Sequence, residues 1–73
     1  MSNLPRVSGD EATKAFCKAG YTQDRISSRN HIILKRDNSL MLSVPPHKEL
    51  ATGTLRGLLR DAGMTVEEFC ELL

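Results

Sequence analysis

Residues 21–44 read YTQDRISSRNHIILKRDNSLMLSV, and the fold turns on how many strands this stretch holds. Tyr21 to Ile26 reads as a short strand, polar Ser27 to Asn30 as a turn, and His31 to Arg36 as a second strand. Asp37-Asn38 suits a hairpin turn, because both residue types tolerate left-handed backbone. Leu40 to Val44 then forms a third strand, with Leu40, Leu42 and Val44 on one face. Alternation along the second strand separates Ile32 and Leu34 from His31, Ile33 and Lys35. With Ile32 and Leu34 turned to the core, His31 and Lys35 share the open face.

Helical patterns flank the three strands. Ser8-Gly-Asp-Glu11 is a capping box, and Ala12, Ala15, Phe16 and Ala19 follow at helical spacing. That predicts a helix from Gly9 to Ala19, ended by Gly20. Pro45-Pro46 stops the sheet, since proline has no N–H for a ladder. After the PPHKELATG crossing, Thr52 is the expected N-cap of a helix that buries Leu55, Leu58, Leu59 and Ala62 and ends at Gly63. Thr65-Val-Glu-Glu68 is a second capping box. Met64 and Phe69 suit a hydrophobic staple there, and Val66, Phe69, Cys70 and Leu73 form the apolar side of a short last helix. Helices segregated on one face of an antiparallel sheet give an α+β domain, expected to span residues 1–73.

Composition narrows the function. A chain of 73 residues buries roughly 60% of its extended surface, so a shallow site on a sheet is expected rather than a deep cavity. The net charge of +1 hides an asymmetry. Residues 1–60 hold all ten Lys and Arg against five acids, and residues 61–73 hold four acids. Between Arg25 and Arg36 no acid intervenes, so the second strand carries a local positive field suited to phosphate. The two cysteines, Cys17 and Cys70, form no CxxC pair and read as buried free thiols ahead of a Cys17–Cys70 disulfide. The two histidines have no cysteine pair nearby, and carboxylates do not cluster, so neither a zinc site nor a two-metal nuclease is expected. No glycine-rich nucleotide loop is present, and no cofactor is expected. MSNLPRVSG carries no apolar signal segment and no run reaches membrane-spanning length, so the expected location is the cytoplasm, with no membrane partner.

VSGDE at the first helix, KAGY before the first strand, the histidine opening the second strand, VPPHKEL after the third, and GTLRGLLRDAGMTVEEFCELL at the end follow one another along the chain. This order resembles the HicA (YcfA-like) family of bacterial toxins, the mRNA interferases of toxin-antitoxin systems. The resemblance implies a fold like that of a double-stranded RNA-binding domain. It also implies translation-independent cleavage of messenger RNA, a reaction that needs no metal ion where the protein itself moves the protons, and neutralisation by a HicB antitoxin in a type II system. His31 corresponds to the family's catalytic histidine, which usually follows Gly-Ser; here Arg29 and Asn30 precede it.

RNA supplies its own nucleophile, the 2′-hydroxyl, so a protein need only align it, move protons and stabilise charge on phosphorus. Histidine suits proton transfer because its ordinary pKa is about 6.5. On residues alone, a lone histidine in so small a domain is more often a surface or helix-cap residue; the resemblance implies a catalytic role for His31, as base or as acid. Arg29 and Lys35 are the candidates to hold the scissile phosphate. Asn30, Arg36, His47, Lys48 and Arg56 are further candidates for RNA contact. Two alternatives stand beside cleavage: a module that binds structured RNA without cutting it, and a protein-interaction module of the same fold.

Overall fold

In a computed structural model, which describes residues 4–73, the chain runs α1 (Gly9–Lys18), β1 (Thr22–Ile26), β2 (Ile32–Lys35), β3 (Leu42–Val44), α2 (Thr52–Ala62) and α3 (Val66–Glu71). The strands form an antiparallel sheet in the order β1-β2-β3. This is the α-β-β-β-α order with a short last helix, the arrangement of double-stranded RNA-binding domains. The helices cover one face. Ile32, Leu34, Leu42 and Val44 meet Ala12, Ala15 and Phe16 of α1, Leu55, Leu58, Leu59 and Ala62 of α2, and Phe69 of α3 in one core cluster. Phe16 is central to it. Its ring stands edge-on to Tyr21 at 5.9 Å and tilted against Phe69 at 5.2 Å.

Both capping boxes form. Ser8 Oγ accepts the Glu11 N–H at 3.0 Å while the Glu11 carboxylate accepts the Ser8 N–H at 2.9 Å. Thr65 and Glu68 repeat the exchange at 3.1 and 2.9 Å. Thr52 is not a cap. The N-cap of α2 is Ala51, with no side-chain hydrogen bond, and Thr52 is the first helical residue. The start of α2 is set instead by Leu50, which is buried and donates its N–H to Val7 C=O at 2.8 Å. Beside it, Gly9 N–H donates to His47 C=O at 2.9 Å. The start of α1 thus packs directly on the chain that leaves β3. A side chain at Gly9 would meet the Pro45 carbonyl oxygen, which explains why glycine opens this helix despite its low helical propensity.

Several expected boundaries shift for identifiable reasons. The second strand starts at Ile32, not His31, because the residue continuing the ladder opposite His31 is Pro45, which has no N–H. The third starts at Leu42, and Leu40 is exposed rather than sharing the buried face of Leu42 and Val44. The strands part there because Arg36 turns towards the helices and Ser39 N–H closes a turn onto Arg36 C=O. Tyr21 stands outside the first strand as a core residue. Both cysteines are exposed free thiols rather than buried ones. Cys17 lies off the Ala12–Ala15–Phe16 side of α1. The short α3 turns only the Val66–Phe69–Leu72 row inward, leaving Cys70 and Leu73 outside.

Arg36 occupies the point where α1 and α2 end. Its guanidinium donates to the carbonyls of Ala19 at 3.1 Å and Ala62 at 3.0 Å and to Ser39 Oγ at 3.0 Å. It also lies over the Tyr21 ring, 4.4 Å from its centroid. A fixed cation at the carbonyl ends of two helices opposes both helix dipoles at once.

Candidate functional site

The site is built from the face of the sheet that the helices leave open. Register fixes its members. Arg25, Ile33 and Ser43 stand in one row across the three strands, and Thr22 pairs with Lys35 further along. Ile33 is 8% exposed yet lies outside the core cluster. His31 lies one step beyond this row on the same face. It is partly buried, and its Nδ1 is 3.1 Å from Ser43 Oγ, the diagonal neighbour on β3.

The β1–β2 turn holds His31 in place. Asn30 N–H donates to Ser27 C=O at 2.8 Å, and Ser27 N–H donates to His31 C=O at 2.8 Å. Asn30 has φ of 63°, in the left-handed region. This is a three-residue hairpin loop that ends on a left-handed residue, where asparagine is among the few side chains well tolerated. Ser27 Oγ also accepts the His31 N–H at 3.2 Å. Two serine hydroxyls therefore reach one histidine, one at its backbone and one at its ring.

A β-bulge between Gln23 and Arg25 shapes the rest of the face. It sets both Asp24 and Arg25 against β2, so that a carboxylate joins two cations. Asp24 Oδ2 lies 3.6 Å from Lys35 Nζ and 3.8 Å from the Arg25 guanidinium. Lys35 and Arg25 are more than half exposed, and such pairs are worth about 0–1 kcal/mol, so both cations remain open to exchange Asp24 for a phosphate.

The residues singled out in the sequence fall into three groups. His31 and Lys35 share the open face as alternation predicts, with Arg29 and Asn30 exposed in the turn at its end. His31 and Lys35 are four residues apart, about 13 Å along a strand, with Ile33 between them. His47 and Lys48 are exposed in the connection after β3, which leaves the sheet at the His31 end, beside the Ile32–Val44 pair. Arg56 is exposed on α2, in the helix layer. Arg36 lies apart from all of them, its guanidinium held by Ala19, Ala62 and Ser39.

Sequence reasoning missed two members of the face. Arg25 reaches it through the bulge, which has no clear signature in TQDRI. Ser43 was legible: it alternates with buried Leu42 and Val44, so it had to point outward. A cleft of about 340 Å³ lies at the Lys35 end, between Thr22, Asp24, Lys35 and Asp37; His31 does not line it. Among the described residues no three His, Cys, Asp or Glu side chains group as metal ligands, and no helix is long and apolar enough to cross a membrane.

Residues 9–64 match the family model described as the HicA toxin of bacterial toxin-antitoxin systems. That span runs from the first residue of α1 through α2 to Met64 and includes every residue of the open face. No curated protein matches the chain.

Proposed function

Because this chain belongs to the HicA toxin family, we propose that it is the toxin of a type II toxin-antitoxin pair and an endoribonuclease that cuts messenger RNA by proton transfer at His31. The observation that carries this reading is the open sheet face, which a partly buried histidine shares with Arg25 and Lys35 while helices cover the opposite side. The 2′-oxygen of RNA attacks phosphorus as its proton passes to His31. The bond from phosphorus to O5′ breaks, leaving a 2′,3′-cyclic phosphate. O5′ takes its proton from the imidazolium just formed or from water, so the step balances without a metal ion. Arg29 and Arg25 stabilise charge on the scissile phosphate, while Lys35, about 13 Å along the strand, holds a neighbouring one. His47 and Lys48 extend the RNA path past the His31 end, with Asn30 contacting it in the turn. Arg56 serves only a longer path around α2. Arg36 is assigned to the fold. A HicB-like antitoxin neutralises the protein by covering the same face.

One feature favours a second reading, binding of structured RNA without cleavage. Arg29 and Asn30 stand where the family usually has glycine and serine, which puts a bulky cation beside the histidine. Native protein and His31→Ala, incubated with labelled single-stranded RNA in EDTA, separate the two. Both are also checked for fold and RNA binding. Cleavage by native protein alone is expected. Binding without cleavage by either supports the second reading, and equal cleavage by both removes His31 from the chemistry.

A further inference from the structure

We propose that Ser43 is a positioning residue that makes Nε2 the reacting nitrogen of His31, an inference that rests on reading His31 as the proton-transfer group. Ser43 Oγ lies 3.1 Å from Nδ1, so that nitrogen faces the neighbouring strand rather than a bound RNA. The ring has two working states. As a base it is neutral, with a lone pair on Nε2 and its hydrogen on Nδ1. As an acid it is the imidazolium, with hydrogens on both nitrogens. In both states Nδ1–H donates and Ser43 Oγ accepts, so this bond persists while the proton moves at Nε2. Without the hydroxyl, this hold on Nδ1 is lost and the ring is free to turn Nε2 away from the 2′-hydroxyl.

The backbone supports this role. His31 N–H is held by Ser27 Oγ and His31 C=O by Ser27 N–H, so the ring's remaining freedom is rotation about its own side-chain bonds. Ser43 restrains that rotation from β3. It alternates with buried Leu42 and Val44, whose packing fixes the strand, so its hydroxyl is presented from a rigid element. Ser43 is itself exposed, and its replacement leaves the core intact.

The test uses the full chain as native protein, Ser43→Ala and Ser43→Thr. Single-turnover cleavage of labelled RNA is measured alongside RNA affinity, and the nitrogen NMR shifts of His31 are recorded with its ring neutral. Ser43→Ala is expected to slow cleavage about tenfold with RNA affinity unchanged, the effect of one hydrogen bond. Ser43→Thr, which keeps the hydroxyl, is expected within about twofold of native on the same scale. The native spectrum should show a hydrogen-bonded Nδ1, and Ser43→Ala should shift that resonance. An alanine variant as fast as native, or one with an unchanged His31 spectrum, overturns the proposal. If native protein leaves RNA uncut, the catalytic reading falls. The spectra then decide alone: a shift in Ser43→Ala sustains the hold on His31, and an unchanged spectrum overturns it.

Discussion

Arg36→Ala should be among the most damaging surface-accessible substitutions in this protein. It removes donors to the Ala19 and Ala62 carbonyls and to Ser39 Oγ, together with a cation 4.4 Å from the Tyr21 ring centroid. Each helix-dipole contact is worth about 0.3–1 kcal/mol and the cation–π contact about 0.5–2 kcal/mol. Hydrogen bonds to a charged group contribute about 1.5–3 kcal/mol, but these contributions overlap because one guanidinium makes them all. Exposed alanine leaves both carbonyls partly hydrated, which sets the loss at about 2–4 kcal/mol. A chain of this length has a total stability of only about 4–11 kcal/mol. Urea unfolding followed by circular dichroism measures the loss, and Tm should fall by about 10–20 °C. Arg36→Lys separates charge from shape: one ammonium cannot span two carbonyls and a hydroxyl, so it should recover less than about half of the loss. An alanine variant within about 0.5 kcal/mol of native would refute the argument, since that is the scatter of ordinary surface changes.

Three other substitutions probe the fold and the site. Gly9→Ala should destabilise by at least about 2 kcal/mol, against alanine's helical advantage of about 1 kcal/mol, because the new methyl meets the Pro45 carbonyl; thermal unfolding decides it. Asn30→Val should cost about 1–3 kcal/mol at its φ of 63°, whereas Asn30→Gly should stay within about 0.5 kcal/mol of native, both read from urea midpoints. Arg25→Ala should weaken RNA binding and lower the slope of log affinity against log salt by about one phosphate contact, while Arg36→Lys should leave that slope unchanged.

What was legible in the chain was whatever depends on neighbours in sequence. Ser8 with Glu11 and Thr65 with Glu68 satisfy each other within one helical turn, so their pattern is sufficient. Alternation likewise put His31 and Lys35 on one face and Ile32 and Leu34 on the other, since a single buried face fixes the parity of a strand. What was not legible depends on residues far away. Thr52 looks like a cap, but Leu50 is tied to Val7 and moves the helix start. Arg36 looks like its cationic neighbours, and only the meeting of α1 and α2, at Ala19 and Ala62, gives it a different task. Arg25 joins the site by way of a bulge whose extra residue breaks the alternation from which its face would be read.

The same bulge has a consequence for solubility. A three-stranded sheet has two edges, and each offers unpaired backbone groups on which another chain could add a strand and begin aggregation. Here the two edges are blunted differently. Along β1 the extra residue breaks the regular spacing of donors and acceptors, and the strand carries the charged side chains of Asp24 and Arg25. β3 has only three residues, and Pro45-Pro46 follows at once, too short a run to template a ladder. A sheet face left bare of helices is thereby kept available to a ligand without its edges recruiting further copies of the chain.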